Sequence, residues 1–469
     1  MIQVLHKFIR CMRHTTFSFA IICCLVLFSG FGCKGLSQQE QASISPITLT
    51  YWTVFDDVDQ LKKFADAYKQ IRPYVTITVR QVRYDEFDTL FTNALADDIG
   101  PDIISTHIHW LREYAPRLDP MPSSVNVADV VVSGSQFSQT VSVTPQTVVM
   151  PSIRGIESNF VGTVSEDVIL RGSIFGLPLA LDTLGLYYNK TILDTAGIPE
   201  PPKTWDEFLE AVKETTRINA VGDIVQSGVA LGTGNNIENA SDIFALLLLQ
   251  NGVRIMQEGA VTFASGMEKV TVSHPTLEAL RFYTDFARPT KEVYSWNEKQ
   301  DSALTVFIRG RSAFYFGFAF DYNRIRSLAP QLDLGVIPIP QLNESAPVNV
   351  ANYWVESVVK KSQHKDEAWD FIRFMTTPEN IAAYTAATHQ PSPLRSQVAA
   401  QQQNSDIAPF VSGILTAKNW YLGRNVIKAK DALSQLMTNY LLPYADGQSQ
   451  LKRDAQYVIN AATLIQQTL

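Results

Sequence analysis

Residues 47–106 run ITLTYWTVFDDVDQLKKFADAYKQIRPYVTITVRQVRYDEFDTLFTNALADDIGPDIIST, and their apolar spacing alternates between two periods. Ile47 to Trp52 alternates and is rich in β-formers, which predicts a strand. A loop from Thr53 to Asp57 follows. Val58, Leu61, Phe64, Ala65, Tyr68 and Ile71 then fall at helical spacing, and Pro73 ends that helix. Val75, Ile77 and Val79 alternate again. A second helix carries Phe87, Leu90, Phe91 and Ala94 on one face, Gly100-Pro101 breaks it, and Ile103 to Thr106 resumes as a buried strand. This is the βαβ pattern of a parallel sheet covered by helices, an α/β fold.

The same punctuation continues outward. Ser123 to Thr147 is rich in Ser, Val, Thr and Gln without helical period, and reads as a surface excursion or a loosely β insertion. Thr183 to Tyr188 predicts a strand, and Asn189 to Ala196 a short helix. Thr204 with Glu207 three residues on forms a capping box for a helix burying Phe208, Ala211 and Val212. Trp205, at the start of that helix, is assigned to packing. Further helices are expected over Asp242–Gln250, Pro275–Ala287, Arg324–Leu328, Lys365–Met375, from Pro378 to about Ala387, and in the tail. Ala313 to Phe320 is almost wholly apolar, and Leu334–Pro338 and Asn352–Val359 predict strands.

The 469 residues are 46% hydrophobic, enough for one or two substantial cores. The formal net charge is -7, and the first 32 residues hold Lys7, Arg10 and Arg13 without an acid, so the rest is more acidic than the whole. Such a surface argues against a nucleic-acid partner. All four cysteines (Cys11, Cys23, Cys24, Cys33) lie at the N-terminus, which leaves the body without a disulfide or thiolate site. A basic stretch, Lys7 to His14, precedes an apolar run from Phe17 to Phe28, of about 12 residues, a length suited to a signal peptide. An uncleaved short membrane anchor is the alternative. Lys34 to Ser45 is polar and reads as a flexible tether.

Reactive constellations are scarce. His107-Ile108-His109 is the only close histidine pair, with no third ligand and no HExxH, so no metal is expected. Asp56-Asp57-Val58-Asp59 lacks the glycine and terminal Glu of a calcium loop and suits strand-end and helix-cap roles. No G-x-S-x-G elbow, Cys-His pair or phosphate loop occurs. Aromatics at predicted strand ends are plentiful: Trp52, Trp110, Tyr187, Phe316, Phe318, Trp354, Trp420 and Tyr421. Sugars bind on flat aromatic platforms edged by planar polar groups, although core packing is the commoner role of a lone aromatic.

Several segments together resemble a known family. They are Leu49-Thr50-Tyr51-Trp52, Gly100-Pro101-Asp102-Ile103-Ile104, Phe175-Gly176-Leu177-Pro178, Leu186-Tyr187-Tyr188-Asn189-Lys190, Pro201 to Phe208, Gly310-Arg311-Ser312-Ala313-Phe314, Ala368 to Asn380, and Pro393-Leu394-Arg395. In this order they resemble the family 1 extracellular solute-binding proteins of ABC importers, the carbohydrate-type, maltose-binding-protein-like group. The segment ending at Gly32-Cys33 resembles a lipoprotein signal, although Gly30 and Phe31 depart from its usual residues. Met121 to Arg171 is longer than that region usually is, and Ala319-Phe320 stands where Trp is frequent.

The resemblance implies a two-lobe, type II periplasmic-binding-protein fold with three hinge crossings and a ligand cleft between the lobes. It places the crossings near Leu177–Leu181, Val348–Asn352 and Ser392–Arg395. Residues 1–32 would be the signal peptide and 33–46 the tether, lipidated at Cys33. Residues 47–178 plus 350–393 would form lobe 1, and 179–349 plus 394–469 lobe 2. Ligand contacts would come from Trp52, Asp56, Asp57, Thr106, His107, His109, Trp110, Asp182, Asn235, Asn236, Phe316, Phe318, Trp354, Trp420 and Tyr421.

The implied function is capture of a sugar or oligosaccharide by a monomer at the cell exterior or in the periplasm, anchored to the membrane by lipid and serving ABC permease subunits. No catalysis, cofactor or metal is expected. Arg112, Arg154, Arg171 and Arg395 keep a phosphorylated polyol or a peptide open as alternative ligands. A secreted hydrolase and an adhesive surface protein are the remaining alternatives.

Overall fold

The structure is a computed structural model and describes residues 44–135, 138–444 and 449–469. The expected signal peptide, Cys33 and most of the tether lie outside the described residues. The chain divides into two units. Among the described residues, one holds 44–46 with those of 128–146, and the other holds those of 47–127 and 147–469.

The opening stretch folds as its periods dictate. β1 (Ile47–Thr53), α1 (Val58–Ile71), β2 (Val75–Gln81), α2 (Phe87–Ala96) and β3 (Ile103–His107) follow in order. β1 pairs in parallel with β2 and with β3. α1 buries Leu61, Phe64, Ala65 and Tyr68. Ile71, expected on that face, is exposed, because it lies in the last turn beyond the sheet's cover. The insertion is more regular than its composition suggests: β4 (Ser124–Ser135) and β5 (Ser138–Val149) make a two-stranded ribbon.

A second sheet starts at β6 (Asp182–Asn189). Then come α3 (Trp205–Thr215), β7 (Arg217–Ile218), β8 (Ile224–Val229), α4 (Ala240–Gln250), β9 (Ser312–Phe318), α5 (Phe320–Leu328), β10 (Leu334–Pro338) and β11 (Asn349–Asn352). At the start of α3, Thr204 Oγ1 accepts from Glu207 N at 3.2 Å. Glu207 reaches back to Lys203 N at 2.7 Å, one residue before the expected amide. α5 begins at Phe320, before the expected Arg324.

The chain then returns to the first sheet with β12 (Trp354–Val358), covered by α6 (Lys365–Met375) and α7 (Pro378–Thr388). It ends with β13 (Ala417–Lys418), α8 (Val426–Leu441) and α9 (Gln450–Gln466). The strand orders are β12-β3-β1-β2 and β13-β11-β6-β9-β8-β7, with β10 also pairing β6.

Asn352–Val359, expected as one strand, is broken at Tyr353. Asn352 pairs with Asp182 of β6, whereas Trp354 pairs with His107 of β3, so the chain changes sheets within two residues. Val350, Ala351 and Asn352, expected in lobe 1, therefore belong to the second sheet. Two more segments cross: residues 178–181, between the Leu177–Glu356 bridge and β6, and residues 391–394, where Leu181 N donates to Pro391 O and Val161 N to Pro393 O. Among the described residues no helix is long and apolar enough to cross a membrane.

Candidate functional site

The two sheets meet around a cavity of about 610 Å³. Strand ends and helix starts build it, as open α/β sheets do. The β1–α1 loop supplies Phe55 and Asp56, the β2–α2 segment Tyr84, and the end of β3 His107. The crossings supply Ala180, Asp182, Asn352, Tyr353 and Trp354. Glu238 and Asn239 precede α4; Tyr315, Phe320, Asp321 and Arg324 come from β9 and α5. Gln390 follows α7, and Ile427, Lys430 and Asp431 lie on α8.

Aromatic rings dominate one side. Phe55 is 58% exposed and sits 5.5 Å from Trp354, 6.0 Å from Phe320 and 6.1 Å from Tyr84 between centroids. Trp110 lies behind them, 4.8 Å from Tyr84 and 5.4 Å from Trp354, and holds both rings in place.

The polar groups are tied down. His107 Nδ1 accepts from His109 N at 3.2 Å, so Nε2 carries the ring proton and donates to Asn352 Oδ1 at 2.9 Å. Burial lowers the His107 pKa to about 4, and the imidazole is neutral at neutral pH. Asp182 accepts from Ala319 N at 2.8 Å and Phe320 N at 2.9 Å, capping α5 with its carboxylate. Asp321 accepts from Phe318 N at 3.1 Å and Tyr315 OH at 3.3 Å. Burial pushes both acids up to about 7 against these bonds. Asp56 takes hydroxyl donors from Ser105, from Thr53 at 2.8 Å and from Tyr384 at 3.3 Å. Burial raises its pKa too, partly offset by those bonds.

Of the residues expected from sequence, Asp56, His107, Asp182 and Trp354 line the cavity. The others are placed behind its wall or away from it. Trp52 is buried under the Arg80 guanidinium at 4.7 Å, since alternation turns it to the other face of β1 from Tyr51. Asp57 caps α1, accepting from Asp59 N and Gln60 N. Thr106 is fully buried with its hydroxyl unpartnered. His109 is wedged 5.3 Å from Trp420 and neither ring nitrogen makes a hydrogen bond. Phe316 and Phe318 point away from Tyr315 on β9; Phe316 packs on Phe208 and Phe318 stacks behind Phe320. Asn235 accepts from Ser434 at 2.7 Å, and Asn236 from Trp296 Nε1 at 3.0 Å. Trp420 donates to Asp242 at 2.7 Å, whose other oxygen lies 3.8 Å from Lys430 Nζ. Tyr421 OH donates to Thr468 at 2.9 Å.

The model of the bacterial extracellular solute-binding protein family matches residues 54–382. This chain belongs to that family. The solute-binding protein is 23% identical to the melibiose/raffinose/stachyose-binding protein MelE of Bacillus subtilis, over 82% of each chain. It is 20% identical to the multiple sugar-binding protein of Streptococcus mutans, over 87% of this chain and 89% of that one. A 27% identical binding protein of Brucella abortus matches over 239 residues, and the chain spans about half (53%) of its length. Among solved structures, the cyclic α-maltosyl-1,6-maltose binding protein of Arthrobacter globiformis superposes with a TM-score of 0.67 at 17% identity, covering 90% of this chain and all of that one. The GacH receptor of Streptomyces glaucescens gives 0.64 at 18% identity, covering 90% and 98%. These likenesses establish the two-lobe, maltose-binding-protein-like fold.

Sequence reasoning missed Phe55, Tyr84, Glu238, Asn239, Tyr315, Phe320, Asp321, Arg324, Asn352, Tyr353, Gln390, Lys430 and Asp431. Phe55 and Asn352 stand beside residues that were singled out, and strand alternation separates Tyr315 from Phe316. For Lys430 and Asp431, on a helix late in the chain, no local signal exists.

Proposed function

We propose that this solute-binding protein captures a neutral sugar or oligosaccharide in the cavity and presents it to the permease subunits of an ABC importer. The observation that carries this is the wall of Phe55, Tyr84, Trp354 and Phe320 faced by Asp56, Asp182 and Asn352. Flat apolar rings suit the C–H faces of a sugar, and fixed carboxylates and amides accept from its hydroxyls. The names of the sugar-binding relatives favour the same class.

A phosphorylated ligand is the less favoured reading. Asp56, Asp182, Glu238, Asp321 and Asp431 line the cavity against Arg324 and Lys430. The α5 amides that would hold an anion are already taken by Asp182.

Lobe 1 comprises residues 47–178 with those after Tyr353 to 393, and lobe 2 comprises 179–352 with 394–469. Closure of the crossings around ligand generates the signal to the permease. The protein acts as a monomer without turnover. The signal peptide of residues 1–32, lipidation at Cys33 and the tether to residue 46 complete the proposal and keep the protein at the outer face of the membrane.

The test is thermal unfolding with melibiose, raffinose, stachyose and maltotriose. A sugar at a hundredfold excess over Kd adds about 2.7 kcal/mol of stability. A flat response to all of them, with a response to sugar phosphates, overturns the neutral-sugar assignment.

A further inference from the structure

Behind Asp56 lies a second carboxyl group that the cavity never touches. Glu356 is fully buried on β12, directly opposite Ser105 on β3. Its Oε2 accepts from Tyr51 OH, and its Oε1 lies 3.4 Å from Ser105 Oγ. Ser105 Oγ also bonds Asp56 Oδ2. Glu356 is hydrogen-bonded through its own backbone to Leu177, at the edge of the first crossing, and lies two residues beyond Trp354. It therefore touches both the hinge strands and the network that holds a cavity-lining acid.

The protons of this network can be counted. Asp57 N donates to Tyr384 OH, which frees the Tyr384 proton for Asp56. Asp56 thus receives Tyr384, Thr53 and Ser105, three hydroxyl donors suited to a carboxylate. Ser105 has a single proton and has given it to Asp56. An ionised Glu356 Oε1 would face the lone pairs of Ser105, with the Asp56 charge close behind. A neutral Glu356 has a proton to place there.

We infer that Glu356 is a positioning residue: as the neutral acid it donates to Ser105, fixes Ser105 as a donor to Asp56, and so sets the acceptor that Asp56 offers to a ligand. The titratable groups facing it are Asp56, Tyr51 from β1 and Tyr384 from α7, with no cation among the groups acting on it. Burial, then the Asp56 charge, raises the Glu356 pKa well above the carboxylate range, in agreement with the geometry.

The ligand part of this inference rests on Asp56 being a sugar contact, so the experiment has an arm free of ligand. Glu356→Gln keeps an acceptor for Tyr51 and a donor for Ser105 without a titratable proton. A raised folded-state pKa contributes stability that is complete below the unfolded value and is lost as pH rises. The melting temperature of the full chain, measured from about pH 4.5 to about pH 8, is expected to fall relative to Glu356→Gln by about 3 °C or more. Parallel curves overturn the proton assignment. In calorimetry with raffinose and maltotriose, Glu356→Gln is expected to bind within about threefold of the natural protein, and Glu356→Leu about tenfold more weakly, because Ser105 and Tyr51 lose their partner. Asp182 and Asp321 titrate in both proteins, so the natural protein should lose more affinity than Glu356→Gln as pH rises. Equal binding by Glu356→Leu, or a pH profile shared by Glu356→Gln, overturns the positioning role. If neither sugar binds, the sugar assignment fails, and the ligand-free comparison still decides whether Glu356 holds the proton.

Discussion

Asp182 and Asp321 meet at the start of α5, where the chain invests two acids in one helix end. Asp321 uses a single oxygen for both Phe318 N and Tyr315 OH, so asparagine can present its carbonyl oxygen in the same place. This makes a clean pH test. With the folded pKa raised to about 7 by burial, the folded protein keeps a proton that the unfolded chain releases near pH 4. The associated stability is present at low pH and drains away as pH rises to about 7, at up to about 1.4 kcal/mol per pH unit. Asp321→Asn should therefore gain on the natural protein from about pH 4 to about pH 7 and run parallel to it above. Denaturant unfolding across that range measures the stability of Asp321→Asn minus that of the natural protein, and a difference that stays constant or falls as pH rises would refute the assignment.

At the scale of elements, the βαβ opening was legible because each amphipathic period there serves one sheet face. The same rule explains what was not. Where the chain serves two sheets in succession, as at Asn352–Trp354, a continuous apolar pattern hides the change of partner, since each sheet buries its own side of the break. Likewise the apolar run through β9 conceals which alternate residues face the cavity, and Phe316 is a core residue while Tyr315 lines the site. Long-range pairs such as Lys430 with Asp242 carry no local signature. The ribbon of β4 and β5 was visible only as a compositional shift. Thr147 Oγ1 donates to Asn126 Oδ1 at 2.9 Å at the base of the ribbon, so replacing residues 128–146 with an Asn-Gly turn should leave the melting temperature within about 2 °C. A larger loss would mean that the ribbon supports the rest of the fold.

For the whole molecule, the crossings are the feature that matters. Three short segments join two sheets, and one of them, at Tyr353, separates residues paired in different sheets. A hinge of so few residues lets the lobes move as bodies while each sheet stays intact. Small-angle scattering should show the particle contracting when a sugar from the panel is added at saturating concentration. An unchanged radius of gyration, alongside a measured thermal response, would separate binding from closure and remove the hinge from the mechanism.

The position of Trp354 has one more consequence. The chain has seven tryptophans; Trp52, Trp110, Trp205, Trp296, Trp369 and Trp420 are buried, and only Trp354 borders the cavity. It also stands next to the crossing at Tyr353. The protein thus carries a built-in optical reporter: ligand arrival alters the surroundings of one indole directly, and Trp110 touches that indole from behind. Its ultraviolet emission can be followed without any dye, and a Trp354→Phe variant provides the blank.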